Sequence, residues 1–137
     1  VFADYMEAYG RGGLKAEGLG ALSWLARLYW YTVEFGLIRT ARGLRSYGAG
    51  ILSSPGEIDH SVTSPAPRRV AFDLVRVMRS RYRIDAYQET YFVVESFQQL
   101  FDATRPDFTP LYRQLKSLED LPADAGLPED RLVPPGG

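Results

Sequence analysis

The chain has 137 residues, 45% of them hydrophobic and 24% charged, with no cysteine and a formal net charge of −1. That length and balance suit one globular domain with a real core, and near-neutrality supplies no global field to draw nucleic acid or an anionic membrane. The missing cysteines exclude disulfides, thiolate metal sites and a cysteine nucleophile and fit a reducing, cytoplasmic setting, while no apolar run reaches the roughly 20 residues of a membrane-spanning helix.

Val1 leads without an initiator methionine into an amphipathic pattern at Phe2, Met6 and Tyr9. This reads as entry in mid-element and predicts a fragment. Residues 2–9 predict a helix, which Gly10, Gly12 and Gly13 break into a loop. From about Ala16 to Gly36, apolar residues recur at helical spacing through Leu22, Leu25, Leu28, Tyr29, Val33 and Phe35. The stretch 28–33 is apolar or aromatic nearly all round, which predicts burial on most sides.

Beyond it, 37–39 and 44–47 predict a small hairpin turning at 41–43. Pro55, Gly56, Pro65 and Pro67 predict an irregular connection, with His60 on its surface. Residues 70–80 space Val70, Phe72, Leu74, Val77 and Met78 as a helix. A β-favouring run follows at 91–94, and Ser96 is placed to cap a helix through Thr104. Residues 108–118 again repeat a helical spacing. After Glu119 the prolines and glycines leave nothing that could form an amphipathic face, which predicts a disordered tail over 119–137. The whole predicts a mainly α fold with a small β component, an α+β domain over 1–118, and with no heptad tail a monomer.

Glu34 stands out by its chemistry, being one of only two charged residues between Leu22 and Ile38, the other being Arg27. Two readings stand. It could sit on the wet edge of its helix, paired with Arg27 two turns back. Alternatively it could be the carboxylate of a facial triad, in which two histidines and one carboxylate hold Fe(II) and leave positions open. His60 is the sole histidine, so the chain can offer at most one such ligand. Ser53 and Ser54 have only Glu57 as a neighbouring acid or base, which gives a serine nucleophile little support. Arg76, Arg79 and Arg83 fall at neighbouring helical positions; a phosphate-binding stripe is the sharper reading of them and a solvated helix face the plainer one.

The segment Arg27-Leu28-Tyr29-Trp30-Tyr31-Thr32-Val33-Glu34-Phe35-Gly36-Leu37 resembles the glutamate-ligand helix of the pterin-dependent aromatic amino acid hydroxylases. The resemblance continues, in family order and spacing, through Ser46-Tyr47-Gly48-Ala49-Gly50-Ile51-Leu52-Ser53-Ser54 and Thr90-Tyr91-Phe92-Val93-Val94-Glu95-Ser96-Phe97. It implies the C-terminal half of a catalytic domain that uses Fe(II), tetrahydropterin and O2 to hydroxylate an aromatic ring. Carried over residue by residue, Glu34 would ligate the iron, and Trp30, Phe35, Gly50 and Ser53 would contact the substrate. Tyr29, Ser54 and Ile84 would form the surrounding wall. Family histidines of a His-x-x-x-His motif would lie just before Val1, so the fragment alone is expected to be inactive. Ile84 stands where tyrosine hydroxylases are expected to carry an acid, which favours L-phenylalanine as substrate. Tryptophan hydroxylation, and a non-catalytic helical interaction module, are the alternatives.

Overall fold

The computed structural model describes residues 22–136, so the helix expected over 2–9, the glycine loop and the start of the long helix lie outside the described residues. Helix α1, Leu22–Tyr29, buries Leu25 and Leu28. It runs without a break into a π-helical turn, Trp30–Glu34, which buries Tyr31 and Thr32. Strands β1, Leu37–Thr40, and β2, Gly43–Ser46, form the expected antiparallel hairpin, with Gly43 at φ 104° closing its turn. Two short helices follow, α2 at Ala49–Leu52 and α3 at Pro55–Val62, then β3 at Arg68–Ala71 and α4 at Leu74–Arg79. Strand β4, Thr90–Val94, precedes α5, Phe97–Thr104, and α6, Thr109–Lys116.

The sheet is ordered β2-β1-β4-β3, with β4 parallel to both of its neighbours. All five residues of β4 are buried, as a strand covered on both faces requires, and its apolar run Tyr91–Val94 matches. Phe92 faces a core of Leu25, Leu28, Tyr31, Met78, Tyr112 and Leu115, while Tyr91 and Val93 face Leu37, Leu44, Ile51 and Val62. Each large apolar side chain so buried contributes about 1.5–3 kcal/mol before entropy is counted. Mixed helix and sheet is what the α+β expectation required, and Ser96 caps α5 as expected by accepting from the Gln99 amide at 3.0 Å.

Four local expectations are corrected. The connection at 55–67 contains α3: Pro55 sits at the first helical turn, where a missing N–H costs nothing. His60 therefore lies on a helix and is half-buried rather than on a surface loop. The predicted helix at 70–80 begins only at Leu74, because 68–71 pairs with β4 as a strand. Nor is the expected solvated arginine face uniform: Arg83 is exposed, but Arg76 and, earlier in the chain, Arg69 are buried. Arg76 is 6% exposed and meets Asp130 at 2.9 Å, and Arg69 is 3% exposed and donates to the carbonyls of Ser61, His60 and Ser64 at 2.6, 3.2 and 2.6 Å. That guanidinium closes the C-terminal end of α3, where helix carbonyls lack amide partners.

The tail is the fourth. It forms no regular helix or strand, yet it is tied down. Leu121 and Arg79 exchange contact through a 2.7 Å backbone bond, the Ala71 amide donates to Arg131 at 2.7 Å, and the Val133 amide donates to Arg69 at 2.8 Å. Val133 is buried in the core beneath β1 and β4, and Gly136 donates to Val62 and accepts from Leu44. Proline-rich composition rules out an amphipathic face, but unpaired backbone at the edge of β3 and one buried valine are enough to hold the segment in place.

Candidate active site

The π-helical turn sets up the site. The Phe35 amide donates to the Trp30 carbonyl at 2.9 Å, five residues back, and the Gly36 amide to Thr32 at 3.1 Å. Thr32 contributes by donating its hydroxyl to the Leu28 carbonyl at 2.6 Å, which occupies an acceptor of the helix ladder. A π-turn widens the helix by one residue and changes which side chains share a face, and such turns are frequent at functional sites.

Glu34 ends this turn. It is half-buried, and among the described residues its carboxylate has no hydrogen-bond or ion-pair partner. Arg27, the partner expected on the plainer reading, turns instead to Asp120, with its two nitrogens 2.8 and 3.0 Å from the carboxylate oxygens, and to the Met78 carbonyl at 3.1 Å. A carboxylate half open to solvent and uncommitted to any described partner is chemically able to serve as a metal ligand. Among the described residues no three His, Cys, Asp or Glu side chains gather into a metal cluster, so Glu34 would supply one ligand and no more.

Beside it the aromatic residues stack. The Trp30 ring lies 4.6 Å from Phe35 at 28° and 4.3 Å from Tyr82 at 12°, so the indole is held between two rings. The loop after β2 packs close underneath. A Cβ on Gly48 would run into the Glu34 carbonyl, and one on Gly50 would lie 2.6 Å from Phe35 Cζ and 3.0 Å from the Glu34 carbonyl oxygen. Glycine at 48 and 50 is therefore a condition of the loop's approach to the Glu34–Phe35 backbone. Ser53 donates to the Gly50 carbonyl at 3.1 Å, Ser54 is the residue before α3, and Tyr29 is the half-buried last residue of α1. Ile84 lies two residues beyond Tyr82 and is 79% exposed. The structure thus brings Glu34, Trp30, Phe35, Gly50 and Ser53 into one neighbourhood, with Tyr29 and Ser54 at its margins. Among the described residues Ile84 is open to solvent. Glu57 does not approach Ser53 or Ser54 as an acid–base partner; its Oε2 is taken by the Tyr91 hydroxyl at 2.6 Å and the Gln88 amide at 3.1 Å.

Sequence reasoning missed Tyr82 as a stacking ring and passed over Gln88 altogether. The one signal for Gln88 was a neutral amide set among Tyr87, Tyr91 and charged neighbours, which alone indicates little. A cleft of about 700 Å³ lies elsewhere, between His60, Arg68, Tyr87 and the tail prolines, and is lined by none of the expected site residues.

The family model for biopterin-dependent aromatic amino acid hydroxylases matches residues 2–117. The phenylalanine-4-hydroxylase of Ralstonia nicotianae is 62% identical over 136 residues, covering 99% of this chain and 44% of that protein. A crystal structure of Chromobacterium violaceum phenylalanine hydroxylase bound to cobalt superposes with a TM-score of 0.93 at 61% identity, covering 96% of this chain and 48% of the other. The dog tyrosine 3-monooxygenase is 40% identical over 105 residues, 77% of this chain and 21% of that protein. The chain spans about half the length of the bacterial relatives it matches.

Proposed function

Because the chain belongs to the biopterin-dependent aromatic amino acid hydroxylase family, we propose that it is the C-terminal half of a phenylalanine 4-monooxygenase whose iron is held in part by Glu34. The observation that carries this reading is the half-buried Glu34 carboxylate, which has no hydrogen-bond or ion-pair partner among the described residues, next in sequence to Phe35 of the Phe35–Trp30–Tyr82 stack. A carboxylate of that kind fits one place in a two-histidine, one-carboxylate set, and the histidine pair is assigned to a segment preceding Val1. When bound, Fe(II) together with a tetrahydropterin would supply the activation of O2 that side chains cannot perform.

The chain's own residues orient and shield. Phe35 and the edge of the Trp30 indole, itself held between Phe35 and Tyr82, offer apolar surface to an aromatic ring, and Gly50 keeps the loop low enough for the ring to approach. Ser53 and Ser54 edge the pocket, with Ser53 placed to orient a ligand histidine, and Tyr29 stands in the wall on the iron and pterin side. L-phenylalanine is the substrate favoured, since the bacterial relatives above are phenylalanine hydroxylases and Ile84, open to solvent among the described residues, brings no acid that could meet a ring hydroxyl. In the same reading the enzyme is a cytoplasmic monomer with neither nucleic acid nor membrane as partner; among the described residues no helix is long and apolar enough to cross a membrane.

The test is made on the full-length gene product. With Fe(II), a tetrahydropterin and phenylalanine it should form tyrosine, and Glu34→Ala should lose both tyrosine formation and stoichiometric iron. Iron content and turnover unchanged in Glu34→Ala would remove Glu34 from the metal site.

A further inference from the structure

Gln88 is 2% exposed and uses all four of its polar groups. Its amide donates to Glu57 Oε2 at 3.1 Å and its carbonyl accepts from His60 Nε2 at 3.0 Å. Its side-chain oxygen accepts from Trp30 Nε1 at 3.2 Å, and its side-chain nitrogen donates to the Arg83 carbonyl at 2.6 Å. The chemistry admits only this orientation: an indole N–H can only donate and a carbonyl can only accept, so a flipped amide would lose both bonds. The anchor beneath is equally constrained. Glu57 is 5% exposed and also receives the Tyr91 hydroxyl from the buried strand β4.

One residue therefore connects the rigid sheet to the ring that faces the substrate. Trp30 is stacked on both faces, which leaves rotation within the ring plane as the freedom that stacking alone does not remove. An in-plane hydrogen bond to Nε1 removes it. The bond to Arg83 fixes the start of the 83–87 loop, which carries Ile84. We propose that Gln88 is a positioning residue for the aromatic substrate, setting the in-plane orientation of Trp30 and the path of the loop bearing Ile84. This inference rests on the hydroxylase reading and on Trp30 lining its substrate pocket.

The experiment compares wild type, Gln88→Met, Trp30→Phe and the double variant of the full-length gene product, loaded with Fe(II) and a tetrahydropterin. Gln88→Met keeps length and volume but neither polar bond. It should raise KM for phenylalanine by roughly tenfold and lower tyrosine formed per pterin oxidised by a few-fold, with the maximal rate of pterin oxidation within about twofold and iron content unchanged. Because both single variants remove one shared bond, the double variant should be no worse than the poorer single. In ¹⁵N-tryptophan-labelled protein, the indole N–H signal that disappears in Trp30→Phe should move upfield and exchange faster in Gln88→Met. Gln88→Asn, one carbon short of the indole, should give the same pattern and serves if the methionine variant does not accumulate. An unmoved indole signal, an unchanged KM and coupling ratio, or additive losses in the double variant would each overturn the inference while leaving the hydroxylase reading intact. A wild type that binds iron but hydroxylates no aromatic amino acid would overturn both.

Discussion

The hydroxyl of Tyr91 lies 2.6 Å from Glu57 Oε2, joining the middle of the sheet to the first turn of α3 by a single buried hydrogen bond. With Tyr91 fully buried and Glu57 5% exposed, no water replaces that donor easily. Tyr91→Phe should therefore destabilise the protein by about 1–3 kcal/mol, the range for leaving a buried acceptor short of a partner. Urea denaturation measures it, and a loss below about 0.5 kcal/mol would mean that the Gln88 amide, which donates to the same oxygen, satisfies it alone.

The same burial governs behaviour in alkali. Burial first, then the bond to Glu57, pushes the Tyr91 phenol far above its ordinary range, and burial does the same to Tyr31 against the opposing charges of Arg76 and Arg27. Both phenols keep their protons in the folded state where unfolded tyrosines, with pKa near 10, have lost theirs. The folded state then binds more protons than the unfolded, so stability falls as pH rises through about 10 and beyond. Tyrosinate absorbance should show Tyr31 and Tyr91 ionising together with unfolding rather than before it.

At the acid end the tail responds. Burial acts to raise the Asp130 carboxyl, but hydrogen bonds from Arg76 and the Leu127 amide, with the charges of Arg76 and Arg68, outweigh it and hold the group below the usual carboxylate range. The stabilisation is present above the unfolded aspartate value near 3.9 and is lost as pH falls below it. Proteolytic cleavage within 119–136 should accelerate in that acid window. At neutral pH, Asp130→Ala should cost about 3–5 kcal/mol, since it strands the buried Arg76 guanidinium.

Arg69→Met should cost roughly 1–3 kcal/mol because the Ser61, His60 and Ser64 carbonyls lose their shared donor. Arg69→Lys should recover only part of this, an ammonium being unable to reach three carbonyls with a planar fork. Thermal melting of both variants decides the matter, and full recovery with lysine would show that charge alone suffices.

Gly50→Ala places a methyl group 2.6 Å from the Phe35 ring edge. Either the ring leaves Trp30 or the loop lifts away from Glu34. In the hydroxylase reading, KM for phenylalanine should rise at least severalfold with only a modest change in melting temperature. Steady-state kinetics with unchanged KM would show that the loop yields without disturbing the aromatic wall.

What could be read in advance was whatever depends on neighbours in sequence. The hairpin, the Ser96 cap and the helix at 109–116 are local features, and Glu34 drew notice because a carboxylate among Trp30, Val33 and Phe35 conflicts with its surroundings. Strand β3 was misread because Val70, Phe72, Leu74 and Val77 satisfy a helical spacing by themselves, and only pairing with β4 makes 68–71 extended. Burial of Arg69 and Arg76 depends on helix-end carbonyls and an aspartate far along the chain, which spacing cannot show. The π-turn goes with a threonine hydroxyl bonded to the Leu28 carbonyl, which spacing does not show, and the part played by Gln88 depends on four partners that three separate segments bring to it.

Parallel pairing of β4 with both β1 and β3 also bears on how the chain reaches its fold. The β1–β2 hairpin closes over a few residues, whereas Leu37 meets Val93 only across a long intervening loop. Such non-local pairings form late and slow the search, because the loop entropy is lost before the contact is gained. Glu34, adjoining the hairpin, is then presented early, and Trp30 meets Gln88 only once β4 has docked. Pulsed hydrogen exchange during refolding should find amides of β1 and β2 protected before those of β4. Assembly would proceed from Glu34 outward, with the Trp30 stack locked last.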